Sequence, residues 1–164
     1  MNMKKQILSF LFLLSLVFSV SAQVKETRKV DEFENTNCDD YRARMDNLLI
    51  EVNNFPNAKG YVFVYEGKLK QRIYDKNGKP KGIKYVSPEV GTAKELIGYL
   101  KNHLLFRNYP SDKIVFIEAG FREKLAVELW IVPNEVNSPK PTPTLKKIKQ
   151  RKQTCKPFGF CGEM

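Results

Sequence analysis

The sequence predicts an α+β domain: a single sheet with two main helices packed on one face, in the order strand, helix, strand, helix, strand, strand, ending in a C-terminal antiparallel hairpin. Three observations carry this. Tyr41 to Val52 and Ala93 to Leu105 place apolar residues at helical spacing. Tyr61-Val62-Phe63-Val64-Tyr65, between them, is apolar on both alternations, as a strand covered on both faces must be. Two further apolar runs, Ile114 to Ile117 and Leu125 to Val132, then follow with only Gly120-Phe121-Arg122-Glu123 as a candidate turn, a connection short enough for a hairpin.

The elements are justified in chain order. Val30 to Phe33 is a short strand. In the first helix Tyr41, Met45, Leu48, Leu49 and Val52 form the apolar stripe, while Arg42, Arg44, Asp46, Asn47 and Glu51 fall largely opposite. Asp39 and Asp40 stand at its positive end, and the segment Asn53 to Asn57, containing Phe55-Pro56, stops it. Gly60 and Gly67 bound the central strand. The polar stretch from Lys68 to Pro88 holds the turn signal Asp75-Lys76-Asn77-Gly78 and reads as a hairpin excursion or a mobile loop. The second helix opens at Thr92, whose hydroxyl caps it while Glu95 completes a capping box, and Ala93, Leu96, Ile97, Leu100, Leu104 and Leu105 make its stripe.

A chain of 164 residues has room for one domain with appendages. Its 42% hydrophobic and 28% charged residues exclude fibrous and wholly disordered classes. Residues 1–22 read as a secretory signal, with a basic start through Lys5, an apolar run from Ile7 to Val20, and Val20-Ser21-Ala22 at the cleavage spacing. The run is short for a spanning helix, so an uncleaved anchor is the alternative and no transmembrane span is expected after cleavage. The mature chain is therefore expected in the periplasm or outside the cell. Residues 23–137 form the domain, 138–145 a proline-rich spacer and 146–164 a basic tail.

Chemistry is scarce in this sequence. His103 is the only histidine, lies on the apolar second helix and has no nucleophile placed beside it, so it reads as a packed structural residue. No spacing of His, Cys, Asp or Glu suggests a metal site, and no cofactor motif is present. Asp39-Asp40 is explained by the helix start. Lys76-Asn77-Gly78-Lys79-Pro80-Lys81-Gly82 lacks the ending of a phosphate-binding glycine loop and reads as a polar turn. Trp130, Tyr61, Phe63 and Tyr65 lie in strands and are assigned to packing. The expectation is a non-catalytic protein, with an enzyme of unrecognised site as the alternative.

The succession of elements, Ala93-Lys94-Glu95-Leu96-Ile97-Gly98-Tyr99-Leu100 and the Gly120-Phe121-Arg122-Glu123 segment resemble the outer-membrane-protein-A-like C-terminal domain. Val30-Asp31-Glu32-Phe33, the helix around Met45-Asp46-Asn47, Pro56-Asn57-Ala58-Lys59-Gly60-Tyr61 and Val127-Glu128-Leu129-Trp130 resemble small exported bacterial proteins with a shortened version of that fold. The resemblance covers about residues 28 to 133. It implies peptidoglycan binding, through an aspartate after the central strand and an arginine at the start of the next helix. Here Thr92 stands in the arginine's place and the strand exit reads Glu66-Gly67-Lys68, so the inherited ligand is not expected. Glu66, Asp75, Thr92 and Arg122 are the candidate ligand-binding residues. A peptidoglycan-associated envelope protein remains the alternative.

The formal charge of +10 falls to +8 without the signal, and residues 138–164 carry +6 of it. Lys146, Lys147, Lys149, Arg151, Lys152 and Lys156 are therefore the candidate anion-binding residues of a flexible tail. Export argues against nucleic acid and for lipid headgroups, acidic polysaccharide or acidic protein. Of the three cysteines, Cys155 and Cys161 are close in sequence and are expected to pair, leaving Cys38 free at the first helix. The rival arrangement joins Cys38 to a tail cysteine and closes a loop of over a hundred residues.

Overall fold

A computed structural model describes residues 26–152. It is α+β, with a five-stranded sheet and two helices. The segment read as a signal lies outside the described residues. Among the described residues no helix is long and apolar enough to cross a membrane.

Strand β1, Arg28–Glu34, is followed by helix α1, Cys38–Asn54. Asn37 caps α1, its side chain accepting the Asp40 N–H at 2.8 Å, and Arg44, bonded within the helix to Asp40 at 2.9 Å, ties it back to β1 through Asp31 at 2.6 Å. Pro56 bars helical geometry at the residue before it, and Phe55 accordingly turns out to φ −126° and ψ 80°. The expected stripe of α1 is buried, and the burial of those five side chains is what holds the helix on the sheet.

Strand β2, Ala58–Tyr74, is far longer than the apolar run that announces it. Its first half is central, and its second half pairs antiparallel with β3, Pro80–Val86, around the Asp75 to Lys79 turn. The polar stretch is thus a hairpin excursion, which adds a strand to the expected order. Helix α2, Thr92–Phe106, starts where predicted but is capped differently. Gly91, at φ 83°, occupies the N-cap without a side-chain bond, and the Thr92 hydroxyl instead donates to the Glu89 carbonyl at 2.8 Å. Its apolar stripe is buried except for Leu105.

The C-terminal strands correct the expected hairpin. Strand β4, Ile114–Lys124, pairs parallel with β2, whereas β5, Ala126–Pro133, pairs antiparallel with the other side of β2 and with β1. The supposed turn at Gly120 belongs to β4: with φ 92° it forms a bulge, where the β2–β4 register shifts between Val64 and Glu66. The chain then passes from one side of β2 to the other through Leu125, whose N–H donates to the Lys68 carbonyl at 3.0 Å. It crosses directly against Gly67, where an added Cβ would stand 2.1 Å from the Lys124 carbonyl carbon. Only glycine lets two backbones approach so closely.

Alternation divides the core. Val62, Val64, Val127, Leu129 and Ile131 face both helices and form the main cluster. Phe63, Tyr65, Ala119 and Ala126 form a smaller cluster on the opposite face, with Tyr61, Ile117 and Trp130 packed against it. This second face carries the charged network described next.

Candidate functional site

Tyr65 and Glu66 are neighbours on β2 and so point to opposite faces of the sheet. Around each of them the tail makes its contacts. On the face away from the helices, the Arg122 guanidinium stacks 3.5 Å over the Tyr65 ring. Beside it Glu128, only 3% exposed, accepts from Arg122 Nη2 at 2.7 Å, Lys29 Nζ at 3.0 Å, and Tyr65 Oη and Trp130 Nε1, each at 3.1 Å. Burial pushes the Glu128 carboxyl up, but the bonds from Arg122, Lys29 and Trp130 outweigh it and hold its pKa below the ordinary glutamate value. Glu32, on the rim, engages both Lys29 at 2.6 Å and Arg122 at 2.8 Å. With four donors on its two oxygens, Glu128 is the hub of a charge network and is held ionised.

The chain beyond the domain is anchored on this network. Thr142 N donates to the Tyr65 oxygen at 3.1 Å, while Arg122 donates to the Thr142 carbonyl at 3.3 Å and hydroxyl at 2.8 Å. Pro143 lies over Gly120, 3.1 Å from where a Cβ would sit. The amides of Thr144 and Leu145 both donate to the Phe121 carbonyl, on the edge of β4 that faces away from β2, at 3.0 and 3.1 Å. We call residues 142–151 the strap.

On the helix face the strap ends against the segment between β3 and α2. Gln150 donates its amide to Glu66, whose other oxygen accepts the Ala93 N–H at 3.4 Å, at the positive end of α2. Arg151 forms a parallel bridge with Glu89. Its N–H donates to the Pro88 carbonyl at 2.7 Å, its carbonyl accepts from Val90 N at 3.1 Å, and its Nε donates to the Ser87 carbonyl at 2.9 Å. Glu66 and Glu89 are both 7% exposed.

The structure thus gathers Glu66, Thr92 and Arg151 around one end of α2 and places Arg122 on the opposite face. Asp75 is remote from both. Its carboxylate accepts from the Asn77 and Lys79 amides, each at 2.8 Å, and so holds the β2–β3 turn. Lys146, Lys147, Lys149 and Lys152 are exposed, while Lys156 lies outside the described residues. The expectation of a flexible tail is corrected for the strap, which is held at Thr142, Leu145, Gln150 and Arg151. Cys38 is disulfide-bonded, which corrects the expected free thiol; the expected Cys155–Cys161 pair lies outside the described residues.

His103 is buried, with Nε2 2.8 Å from Asp46 Oδ1, and Arg107 engages the same carboxylate. The depression of about 330 Å³ beside it is lined by Arg42, Tyr99, Asn102, Phe106 and Arg107, with no hydroxyl or thiol nucleophile of serine, threonine or cysteine among them. Among the described residues no three His, Cys, Asp or Glu side chains gather as a metal site.

Sequence reasoning missed Glu128, Glu89 and Gln150. Glu128 did leave a signal, as the one charge inside Leu125 to Val132, on the alternation shared with Ala126 and Trp130. Gln150 left none. Comparison with family models, curated proteins and solved structures finds no match for this chain.

Proposed function

We propose that this chain is an exported, non-catalytic binding module of the cell envelope or extracellular space, which holds an anionic component through the lysines of its strap and the adjoining Lys152. The observation that supports this reading is the division of labour along the strap. Gln150 and Arg151 are engaged with the domain, and Leu145 is fixed at Phe121, while Lys146, Lys147, Lys149 and Lys152 are left exposed between and beside these anchors. Charges on an anchored segment lose less conformational entropy on binding than charges on a free tail. Each contributes about 1 kcal/mol near an anionic surface.

The test compares the mature protein with a variant carrying Lys→Gln at positions 146, 147, 149 and 152, which keeps every anchor. Sedimentation with anionic vesicles at low salt is expected to show a loss of about a thousandfold in affinity, following the roughly 1 kcal/mol per lysine. The wild-type affinity falls steeply toward about 0.15 M salt, where exposed charges are screened beyond about 8 Å. Acidic polysaccharide and purified sacculi serve as parallel arms to separate the sources of negative charge. Vesicle, polysaccharide and sacculus binding that is equal in variant and wild type would sink the reading.

A further inference from the structure

The segment from Ser87 to Gly91, with Glu66 behind it, forms a slot that holds an extended piece of the strap at Arg151. Its main-chain pairing to Arg151 uses one carbonyl and one amide, and so accepts any side chain in an extended segment. Selection comes from the walls. At the Arg151 position the guanidinium donates to the Ser87 carbonyl at 2.9 Å and lies 3.7 Å from the Glu89 carboxylate, so a basic residue is read there. At the preceding position the wall is Glu66, a carboxylate 93% buried, yet the strap offers it only the neutral amide of Gln150.

That pairing lacks an opposite charge. Both Glu66 oxygens are hydrogen-bonded, by Gln150 and by the Ala93 N–H, but a lysine or arginine in place of the amide would add the attraction of opposite charges, which is stronger away from water. The strap therefore occupies the slot with a weaker match than a cation would give. We propose that the slot between β3 and α2 is a recognition site for an extended peptide with two consecutive basic residues, and that Gln150-Arg151 is a weaker occupant in cis that such a partner displaces. The chain's own strap competes at an effective concentration of the order of millimolar. Only a segment better matched to Glu66 prevails. The proposal is independent of what the strap lysines bind.

The experiment uses the full mature chain and three labelled peptides built on Leu145 to Lys152: the natural sequence, one with Gln150→Arg and one with Arg151→Glu. Fluorescence anisotropy is recorded for the wild type and for a Gln150→Ala, Arg151→Ala variant, whose strap keeps only its main-chain bonds in the slot and so competes less. The variant is expected to bind the Gln150→Arg peptide at least about tenfold more tightly than the natural one, and to bind the Arg151→Glu peptide least. Wild type is expected to bind each at least about tenfold more weakly than the variant, because its own strap competes. Adding Glu66→Gln to the variant should abolish the preference for arginine over glutamine while main-chain binding persists. Equal affinities for the three peptides, or a preference that survives Glu66→Gln, overturn the proposal. Should the double-alanine variant fail to fold, the wild type titrated with the Gln150→Arg peptide to millimolar concentration must shift the Val90 and Ala93 amide resonances, and unshifted resonances overturn it equally.

Discussion

Glu128 shows how a single residue sets the character of a sheet face. A carboxylate inside Leu125 to Val132 would be a costly intrusion if it were left alone, but Arg122 and Lys29 bring two cations and Tyr65 and Trp130 two neutral donors. Replacing Arg122 by Met leaves Glu128 buried with Lys29 as its remaining cation, and should cost about 3 kcal/mol in urea unfolding at pH 7. The pH dependence has a definite sign. The folded-state pKa of Glu128 is depressed, so its contribution to stability is fully present above the unfolded value of about 4.3 and is lost as pH falls through the folded value. Asp40, Asp46 and Glu34 are depressed as well, so the difference between proteins is the informative quantity. Unfolding free energy should decline more steeply from pH 5 to about 3 in wild type than in Glu128→Gln. Parallel profiles would remove Glu128 from the account.

Among the elements, the long β2 organises the rest, and two glycines show how differently a small residue serves a strand and a helix. At Gly67 the β4–β5 link crosses the strand, and a methyl group would collide with the backbone of Lys124 and Leu125. Gly67→Ala should therefore cost more than about 3 kcal/mol or abolish soluble expression, because backbone cannot yield as a side chain can. Gly98, inside α2, has nothing within 4 Å of an added Cβ. Gly98→Ala should raise stability by about 0.5 to 1 kcal/mol through helix propensity alone. Thermal melts of the two variants should thus move in opposite directions, and a stabilised Gly67→Ala would contradict the crossing. Gly120 illustrates the limit of reading such residues locally. A glycine between two apolar runs signals a turn, yet at φ 92° it makes a bulge and carries Pro143 of the strap on its open side.

Over the whole molecule, the strap joins the tail to both faces of the sheet, and the disulfide at Cys38 adds a covalent constraint. The chain's other two cysteines are Cys155 and Cys161, so peptide mapping without reductant should recover the Cys38 peptide linked to a peptide from residues 153–164. Closing a loop of this length restricts the unfolded chain by about 4 to 5 kcal/mol on the entropic account. Reduction, or Cys38→Ser, should accordingly lower the melting temperature of the mature protein. A Cys38 recovered as free thiol from oxidised protein, or unchanged melting on reduction, would count against this disulfide.

The sequence by itself determined the α+β class, both helices with nearly all of their buried stripes, the central strand and the packing role of His103, because each is written in a local period of apolar residues. Glu66 and Thr92 stand out in the sequence only through the family resemblance, which offers Asp75 as readily as Glu66, and Asp75 instead holds the β2–β3 turn. Only the tertiary structure decided which strands are neighbours. A crossing at Gly67 and a bulge at Gly120 depend on chain segments brought together from far apart, and no local period records them. The same holds for the site. Glu128 meets Tyr65 across 63 residues and Gln150 meets Glu66 across 84, so the partners that make these carboxylates tolerable in the interior are invisible until the chain has folded.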